Sequence, residues 1–223
     1  MTREMIITTS QGDVVIDMPD NKTRIGIRIS GGADSSLLAY MMAVYKRDYR
    51  PDIDLFPMTV VHPLKTYQAI FAQGALNKIT ELTGVKFEQL DAYYSEYKEP
   101  YDFLDQQRMA SEDWHDKRNI HAHVMGETIN PPIEAELAEF GFVPNGGRDP
   151  SRDNLVNDPN VLKQRIIRNL NKKAIAELYR HFGILEDLFP ITRSCEKNTD
   201  DFSEHCGRCW FCKERFWGFG RLV

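Results

Sequence analysis

The sequence lacks both a long apolar run and an excess of positive charge. No segment approaches the roughly 18 consecutive apolar residues of a membrane span. Residues 1–17 lack the charged, apolar and small-residue order of a secretory signal. The formal net charge of −5 argues against a protein that coats nucleic acid, because such binding depends on neutralisation of phosphates by Lys and Arg. We therefore expect a cytosolic protein.

Cysteine is also scarce, and its few copies share one end of the chain. All four cysteines lie between Cys195 and Cys212, whereas a secreted disulfide scaffold links distant parts of a chain. Clustered thiols in a reducing compartment indicate a metal site.

The sequence does contain an alternation of β-rich and helical segments. The pattern predicts strands over residues 5–9, 14–17, 24–29, 53–61, 85–90 and 121–125. It predicts helices over residues 34–47, 66–82, 101–118, 133–140 and, for most of its length, 161–182. In the third of these helices the candidate buried positions are Phe103, Leu104, Met109 and Trp114.

Strands that alternate with helices are typical of an α/β fold with a doubly wound parallel sheet. We divide the chain into an α/β domain over residues 1–190 and a small zinc-binding segment over residues 191–223. In such sheets ligands bind at the carboxyl ends of the strands. The pair Gly31-Gly32 falls at one such end and Gly126 at another.

The run from Ser30 to Ser36 (Ser-Gly-Gly-Ala-Asp-Ser-Ser) lies between a predicted strand and a predicted helix. Two glycines let the backbone turn tightly and approach a ligand, and free N–H groups at the helix start favour an anion. Asp34 repels a phosphate directly, so its role is through Mg²⁺ or as a helix cap. The run predicts a phosphate-binding loop. The alternative is a Gly-Gly turn, capped by Asp34 and Ser35, that binds no ligand.

Two other nucleotide-binding patterns are absent from the sequence. No Gly-Lys-Ser/Thr follows the glycines at the spacing of a Walker loop, and no Gly-x-Gly-x-x-Gly fingerprint of dinucleotide binding is present. Ser30 to Ser35 match instead the Ser-Gly-Gly-x-Asp-Ser signature of the N-type ATP pyrophosphatases. The chain resembles this family, whose members are also called PP-loop or adenine nucleotide alpha hydrolase-like proteins.

The resemblance implies that the loop holds the pyrophosphate of ATP while a nucleophile attacks the α-phosphorus. Family members carry a Lys at the start of a late helix, so either Lys172 or Lys173 faces the phosphates, unless both belong to a solvated basic face. We assign catalytic roles to Asp34, Ser35 and Lys173. The residues expected to bind the nucleotide are Ser30, Gly31, Gly32, Ala33, Asp34, Ser35, Ser36 and Gly126. Next to Gly126, the residues Glu127, Thr128 and Asn130 either contact the ligand or form an ordinary turn.

The cysteines follow the spacing Cys195-x₁₀-Cys206-x₂-Cys209-x₂-Cys212. Four thiolates suit tetrahedral Zn²⁺ in a closed structural site. An iron–sulfur cluster is an alternative, since sets of four cysteines also hold those. A redox or sulfur-transfer role for Cys206 and Cys209 is another. His205 is a further candidate ligand.

Together, the loop and the cysteines resemble the 7-cyano-7-deazaguanine synthase branch of the family, from about residue 24 to residue 219. That branch ends in four zinc-binding cysteines followed by an Arg, here Arg215. The resemblance implies conversion of 7-carboxy-7-deazaguanine, ammonia and ATP to the nitrile, and a homodimer. Two features differ from the branch: its usual Tyr-Pro-Asp segment is missing after Gly126, and residues 141–160 are unusual.

We therefore predict an ATP-dependent ligase-type enzyme that adenylates a carboxylate, releases pyrophosphate and contains structural zinc. Two alternatives stay open. One is a PP-loop sulfurtransferase acting on a nucleotide or RNA. The other is a module that binds ATP without turnover and contacts a partner through its zinc segment.

Overall fold

A computed structural model describes residues 3–63, 65–96, 100–140, 150–153, 163–195 and 204–223. A hairpin of β1 (Met5–Thr9) and β2 (Gly12–Ile16) precedes the main sheet. The main sheet of the described residues is parallel, with the strand order β5-β4-β3-β6-β7. Its strands are β3 (Arg24–Arg28), β4 (Asp54–Val61), β5 (Asp91–Tyr94), β6 (Ala122–Met125) and β7 (Lys163–Gln164).

Helices connect and cover these strands. They are α1 (Ala33–Asp48), α2 (Tyr67–Thr83), α3 (Pro100–Arg118), α4 (Ile133–Glu139), α5 (Lys172–His181) and α6 (Trp210–Phe219). Short 3₁₀ turns lie at Pro150–Asp153 and Phe189–Ile191. In the part of the chain that the structure describes, no helix combines the length and the apolar character that crossing a membrane requires.

The two faces of the sheet carry separate apolar cores. Ile25 and Ile27 of β3 belong to the larger core, which includes α1, α2 and α5. Met58 of β4 belongs to a smaller core around Trp114 of α3. A Cβ at Gly26 would lie only 2.3 Å from Cη2 of Trp114, so glycine at this position lets the indole pack directly on the strand. Helices on both faces confirm the predicted doubly wound sheet.

The parallel register sets where a ligand can bind. Arg28, the last residue of β3, pairs with Met58 of β4 and with Met125 of β6. The carboxyl ends of the central strands therefore meet at one edge. The loop after β3 and the segment after β6 are brought together there.

Two predicted elements were wrong. Residues 85–90 form no strand: the ladder to β4 begins only at the pair Met58–Asp91. The apolar pattern there reflects side-chain packing, because Val85 is buried and Phe87 and Leu90 pack against the larger core. Of the predicted helical buried positions, Trp114 is buried but Met109 is 56% exposed. The side chains of Phe103 and Leu104 lie outside the described set.

The predicted helical stretch 161–182 was also wrong in its first half. Its described residues begin with β7, which pairs with β6, and continue through a turn whose Ile167 and Leu170 are buried. The helix starts only at Lys172, because the side chain of Asn171 accepts a hydrogen bond from the Lys173 backbone N–H (3.0 Å) and caps it. Residues 141–149 and 154–162, which include most of the stretch noted as unusual, lie outside the described residues.

The C-terminal segment packs closely on the α/β domain. Phe219 of α6 stacks on Phe189, with ring centroids 4.0 Å apart, and joins the larger core. The predicted domain boundary at residue 190 stays a prediction.

Candidate functional site

The phosphate-loop run Ser30 to Ser36 connects β3 to α1, as predicted. Gly31 has φ +75°, and a Cβ there would come 2.4 Å from Cβ of Phe71. A Cβ at Gly126 would come 2.7 Å from Cα of Ser35. Both glycines therefore permit close contacts of the backbone, and Gly126 lets the end of β6 lie against the first turn of α1.

The N-terminus of α1 faces the same edge of the sheet. Its N-cap is Gly32, and no side chain of the described residues caps it. The proposed cap by Asp34 or Ser35 is therefore not formed. Ser35 Oγ accepts from the Ser30 N–H (3.2 Å) and lies 3.3 Å from the Gly32 carbonyl. The helix N-terminus thus keeps its capacity to bind an anion.

A cavity of about 230 Å³ opens in front of this loop. Its walls come from the loop, the start of α2, the segment after β6, the start of α5 and the C-terminal segment. Gly31 and Ser36 do not line it. Ser36 is fully buried, which leaves it no direct contact with a ligand in this cavity.

A closed ring of polar side chains borders the cavity. Lys172 Nζ contacts Asp34 Oδ2 and lies 3.6 Å from Glu214 Oε2. Glu214 Oε1 accepts from Arg152 Nη2 at 2.5 Å. Arg152 Nε donates to the Thr128 carbonyl at 2.8 Å, and the Thr128 hydroxyl donates to Asp34 Oδ2 at 3.2 Å. The ring balances two cations against two carboxylates, which is what a largely buried charge cluster requires.

One oxygen in this ring lacks a partner. Asp34 Oδ1 is buried and makes no hydrogen bond to any of the described residues. Buried polar oxygens are normally satisfied, and a carboxylate oxygen is the ligand type that Mg²⁺ prefers. Asp34 therefore fits the predicted magnesium role.

The structure corrects the choice of lysine. Lys173 is exposed, and its Nζ lies 4.6 Å from the ring centroid of Trp217, away from the cavity. Lys172 is 5% exposed and lines the cavity. Its stem packs on α6 where a Cβ at Gly218 would come 2.5 Å from Cβ of Lys172. α5 begins at Lys172 after the cap at Asn171, and the first of the two lysines lines the cavity.

Arg193 links the loop to the C-terminal segment. Its backbone N–H donates to the Gly31 carbonyl at 2.9 Å, and its guanidinium carbon lies 4.7 Å from the ring centroid of Tyr67. Arg193 lines the same cavity as Asp34. Together with Arg152 and Lys172 it places three cations around the cavity, an arrangement suited to an anionic ligand.

A second cavity of about 150 Å³ adjoins the first and shares Ser30, Ser35, Gln68, Gly126 and Glu127 with it. Arg28 lines this cavity, and burial lowers the pKa of its guanidinium while Glu127 opposes that shift. Glu127 also contacts Arg165. Two adjoining cavities give room for a ligand that extends from the loop across the ends of the strands.

Arg28, Arg152, Arg193 and Glu214 line the two cavities but were not predicted as site residues. Arg28 had a usable signal, since it is a charged residue at the end of a β-rich run, two residues before the loop. The others lie far from the loop in sequence and carry no local motif.

The cysteines form one cluster. The sulfur atoms of Cys195, Cys206, Cys209 and Cys212 all lie within 4.8 Å of one another. Gly207 has φ +67°, which turns the chain between the second and third ligand. The described residues thus bring together all the predicted metal ligands.

His205 is not part of this group. Its Nε2 accepts from the Ser194 backbone N–H at 3.3 Å, and burial lowers its pKa to about 4. The imidazole is therefore neutral and hydrogen-bonded to the backbone.

Arg215 fixes the cysteine segment to the rest of the chain. The side chain is fully buried, and it donates to the carbonyls of Phe189 (2.9 Å) and Leu222 (2.7 Å). It also donates to the hydroxyls of Thr192 (2.9 Å) and Ser194 (3.1 Å). Burial lowers its pKa to about 10, so the guanidinium stays charged at neutral pH. Cys195, next to Ser194, lines the first cavity as well as the metal cluster.

The fold is similar to that of solved structures with low sequence identity. The chain is similar to the U34-tRNA thiolase NcsA from Methanococcus maripaludis with its [4Fe-4S] cluster, at 14% identity and a TM-score of 0.52, over 90% of this chain and 72% of the thiolase. It is also similar to NAD+ synthetase from Burkholderia pseudomallei, at 14% identity and a TM-score of 0.43, over 87% of this chain and 74% of the synthetase.

No protein-family model and no curated protein matches the sequence. At this identity the likeness to the thiolase shows the fold alone. It confirms the predicted α/β architecture with a parallel sheet.

Proposed function

We propose that this chain is an ATP-dependent enzyme that cleaves ATP to AMP and pyrophosphate in order to adenylate a carboxylate. The observation that carries the proposal is the loop itself. Three features meet at one cavity: a helix N-terminus that no described side chain caps, a carboxylate oxygen of Asp34 with no hydrogen-bond partner among the described residues, and the inward-facing Lys172.

The residues of this cavity have complementary roles in the proposal. The N–H groups of the first turn of α1 and the cation Arg193 bind the phosphates, and Lys172 contributes positive charge beside Asp34. Asp34 holds Mg²⁺, which supplies charge neutralisation for the leaving pyrophosphate. Ser30 and Ser35 provide hydroxyl donors beside the α-phosphate. Catalysis then rests mainly on positioning and on stabilisation of the developing negative charge.

The finer proposal is formation of 7-cyano-7-deazaguanine. A carboxylate oxygen of 7-carboxy-7-deazaguanine attacks the α-phosphorus, and the bond to the β-phosphate breaks. Ammonia then attacks the acyl carbon, AMP leaves and the nitrogen loses a proton, which gives an amide. The amide oxygen attacks the α-phosphorus of a second ATP, pyrophosphate leaves, and loss of AMP and two protons forms the nitrile.

We propose zinc at the cysteines. A zinc–sulfur distance of about 2.3 Å in a tetrahedron spaces the sulfurs by about 3.8 Å, and Cys206 Sγ lies 3.9 Å from Cys212 Sγ. A [4Fe-4S] cluster spaces its ligands more widely, because each thiolate binds a different iron. The compact cluster therefore fits one ion.

Sulfur transfer to a nucleotide or RNA is the second candidate. Cys195 lines the cavity of the loop, and the thiolase of similar fold carries a [4Fe-4S] cluster. Metal analysis separates the two candidates. Purified protein that is colourless and holds one zinc per chain supports the ligase, whereas brown protein with iron and labile sulfide supports the sulfurtransferase.

The proposed reaction has a direct test. The protein is incubated with ATP, ammonium and 7-carboxy-7-deazaguanine, and the products are measured by mass. We expect the nitrile, with an amide intermediate at early times, and neither in the Asp34→Ala variant. Release of AMP and pyrophosphate with another carboxylate, but not with this one, would retain the adenylating activity and reject the deazaguanine.

A cytosolic homodimer completes the proposal, on the resemblance to the deazaguanine enzymes. Sedimentation velocity at micromolar concentration measures the oligomeric state. A species of about 52 kDa, twice the chain mass of 25.8 kDa, supports the dimer, and a monomer contradicts it.

A further inference from the structure

Glu214 connects the cysteine segment to the phosphate loop. It lies in α6, two residues after the metal-ligand candidate Cys212, and is 1% exposed. We infer that Glu214 is a positioning residue. It holds the ammonium group of Lys172 when a divalent cation, bound together with pyrophosphate, replaces that ammonium group at Asp34. The inference rests on the proposed function, because it needs a cation at Asp34.

The need for an exchange follows from the contacts of Asp34. Its Oδ2 already accepts from Lys172 and from Thr128, so a divalent cation that binds this carboxylate competes with an ammonium. Lys172 is buried and lies between two carboxylates. A buried charge that loses its partner costs several kcal/mol. An ammonium released from Asp34 therefore needs another anion within reach.

Glu214 is placed to be that anion. Its Oε2 is 3.6 Å from Lys172 Nζ, a distance that a small movement of the lysine side chain closes. The carboxylate is itself fixed, because Arg152 Nη2 donates to its other oxygen at 2.5 Å. α6 packs directly on the stem of Lys172 at Gly218. Glu214 is thus a rigid acceptor, whereas one oxygen of Asp34 has no hydrogen-bond partner among the described residues.

The simpler alternative is that Glu214 only stabilises the fold. Glu136 of α4 provides a matched comparison. Its Oε1 accepts a hydrogen bond at 2.9 Å from Nε1 of Trp210, which lies in α6 as Glu214 does. Glu136 does not line the cavity of the loop. A variant at Glu136 therefore loosens the attachment of α6 without removing an anion from Lys172.

The test measures the binding of Mn²⁺ to the metal-loaded full-length protein at saturating inorganic pyrophosphate, by electron paramagnetic resonance of the free ion. We expect Glu214→Gln to weaken Mn²⁺ binding about tenfold, within the range of coupling between contacting residues. The double variant Glu214→Gln/Lys172→Met should bind within threefold of the wild type, because no ammonium then competes for Asp34. Glu136→Gln should bind as the wild type does.

Two results with these variants overturn the inference without touching the proposed function. One is unchanged Mn²⁺ affinity in Glu214→Gln. The other is a double variant that stays weak although its melting temperature and its metal content at the cysteines match the wild type. A wild-type protein that binds no Mn²⁺ with pyrophosphate overturns the proposed function together with the inference, so the two failures are distinguishable.

Lys172→Met alone keeps the inference testable if Glu214→Gln does not fold. Without the ammonium, Asp34 should bind Mn²⁺ at least as tightly as the wild type. Tenfold weaker binding in this variant contradicts the exchange.

Discussion

The phosphate loop and the cysteine segment meet at the same cavity but are built in opposite ways. At the loop, the helix N-terminus has no side-chain cap among the described residues and Asp34 keeps an oxygen without a partner. In the cysteine segment, the sulfurs contact one another and Arg215 donates to four oxygen atoms. The loop therefore keeps polar groups that a ligand can bind, whereas the cysteine segment is held by contacts within the protein.

This difference indicates a division of roles. Groups that bind and release a substrate need polar atoms that water or a ligand can satisfy in turn. Groups that hold a fold together need partners that do not change. Variants at the loop should therefore change turnover with little effect on stability, and variants in the cysteine segment should do the reverse.

The largest effect is expected for Cys209→Ser. The variant removes one of four ligands, and structural zinc contributes about 10–16 kcal/mol of binding free energy that is coupled to folding. We expect loss of the metal and a strongly lowered melting temperature, measured by mass spectrometry of metals and by calorimetry. Arg208→Ala, an exposed neighbour, is the control and should retain both. Full metal content with unchanged melting would refute a structural metal site.

Asp34→Ala should give the next largest effect, on turnover. Loss of a group that stabilises charge in the transition state costs about 10²- to 10³-fold in rate. Pyrophosphate release should fall by that factor, while the protein stays folded with its metal content at the cysteines unchanged. Asp48→Ala, at the other end of α1 and paired with Arg47, is the control. Unchanged turnover in Asp34→Ala would remove the loop from the chemistry.

Arg215→Met tests the closed side of the comparison without touching a sulfur. The carbonyls of Phe189 and Leu222 lose their buried donor, and each unsatisfied group costs about 1–3 kcal/mol. We expect the free energy of unfolding to fall by about 3 kcal/mol in urea titration. Arg221→Met, whose partner Glu186 is exposed, should lose less than about 1 kcal/mol. Equal losses would mean that Arg215 does not hold the segment.

The smallest effect distinguishes two neighbouring lysines. Lys172→Met removes a cation that lines the cavity, so turnover should fall about 10- to 100-fold by loss of charge stabilisation. Lys173→Met removes an exposed side chain that stacks on Trp217, and turnover should stay within about twofold of the wild type. Steady-state release of pyrophosphate measures both. The opposite order would restore the assignment made from sequence.

The two regions also differ in how far sequence predicts them. The loop residues are contiguous, and their strand-to-helix context is local, so the position of the site follows from the motif. The spacing of the cysteines likewise predicts the metal cluster. Arg152 and Glu214 lie more than 100 residues from Asp34 and are linked to it through Thr128 and Lys172 in the folded chain.

Some details of local geometry were also predicted wrongly from the sequence, for similar reasons. Which of two adjacent lysines faces the cavity depends on how the first turn of α5 packs on α6 at Gly218, a contact that the local pattern does not contain. Residues 85–90 have the apolar pattern of a strand, but the strand that pairs with β4 begins only after them, at Asp91. In each case a tertiary contact or the pairing of strands decides an outcome that the local sequence pattern leaves open.

The central claim, that this loop directs cleavage of ATP between its α- and β-phosphates, is most directly tested by the fate of labelled ATP. The protein is incubated with ATP labelled on the α- or the γ-phosphorus, with an acceptor carboxylate present, and the products are separated. We expect the α label in AMP and the γ label in pyrophosphate, in equal amounts, and neither from Asp34→Ala. Release of ADP and inorganic phosphate by the wild type would contradict the account.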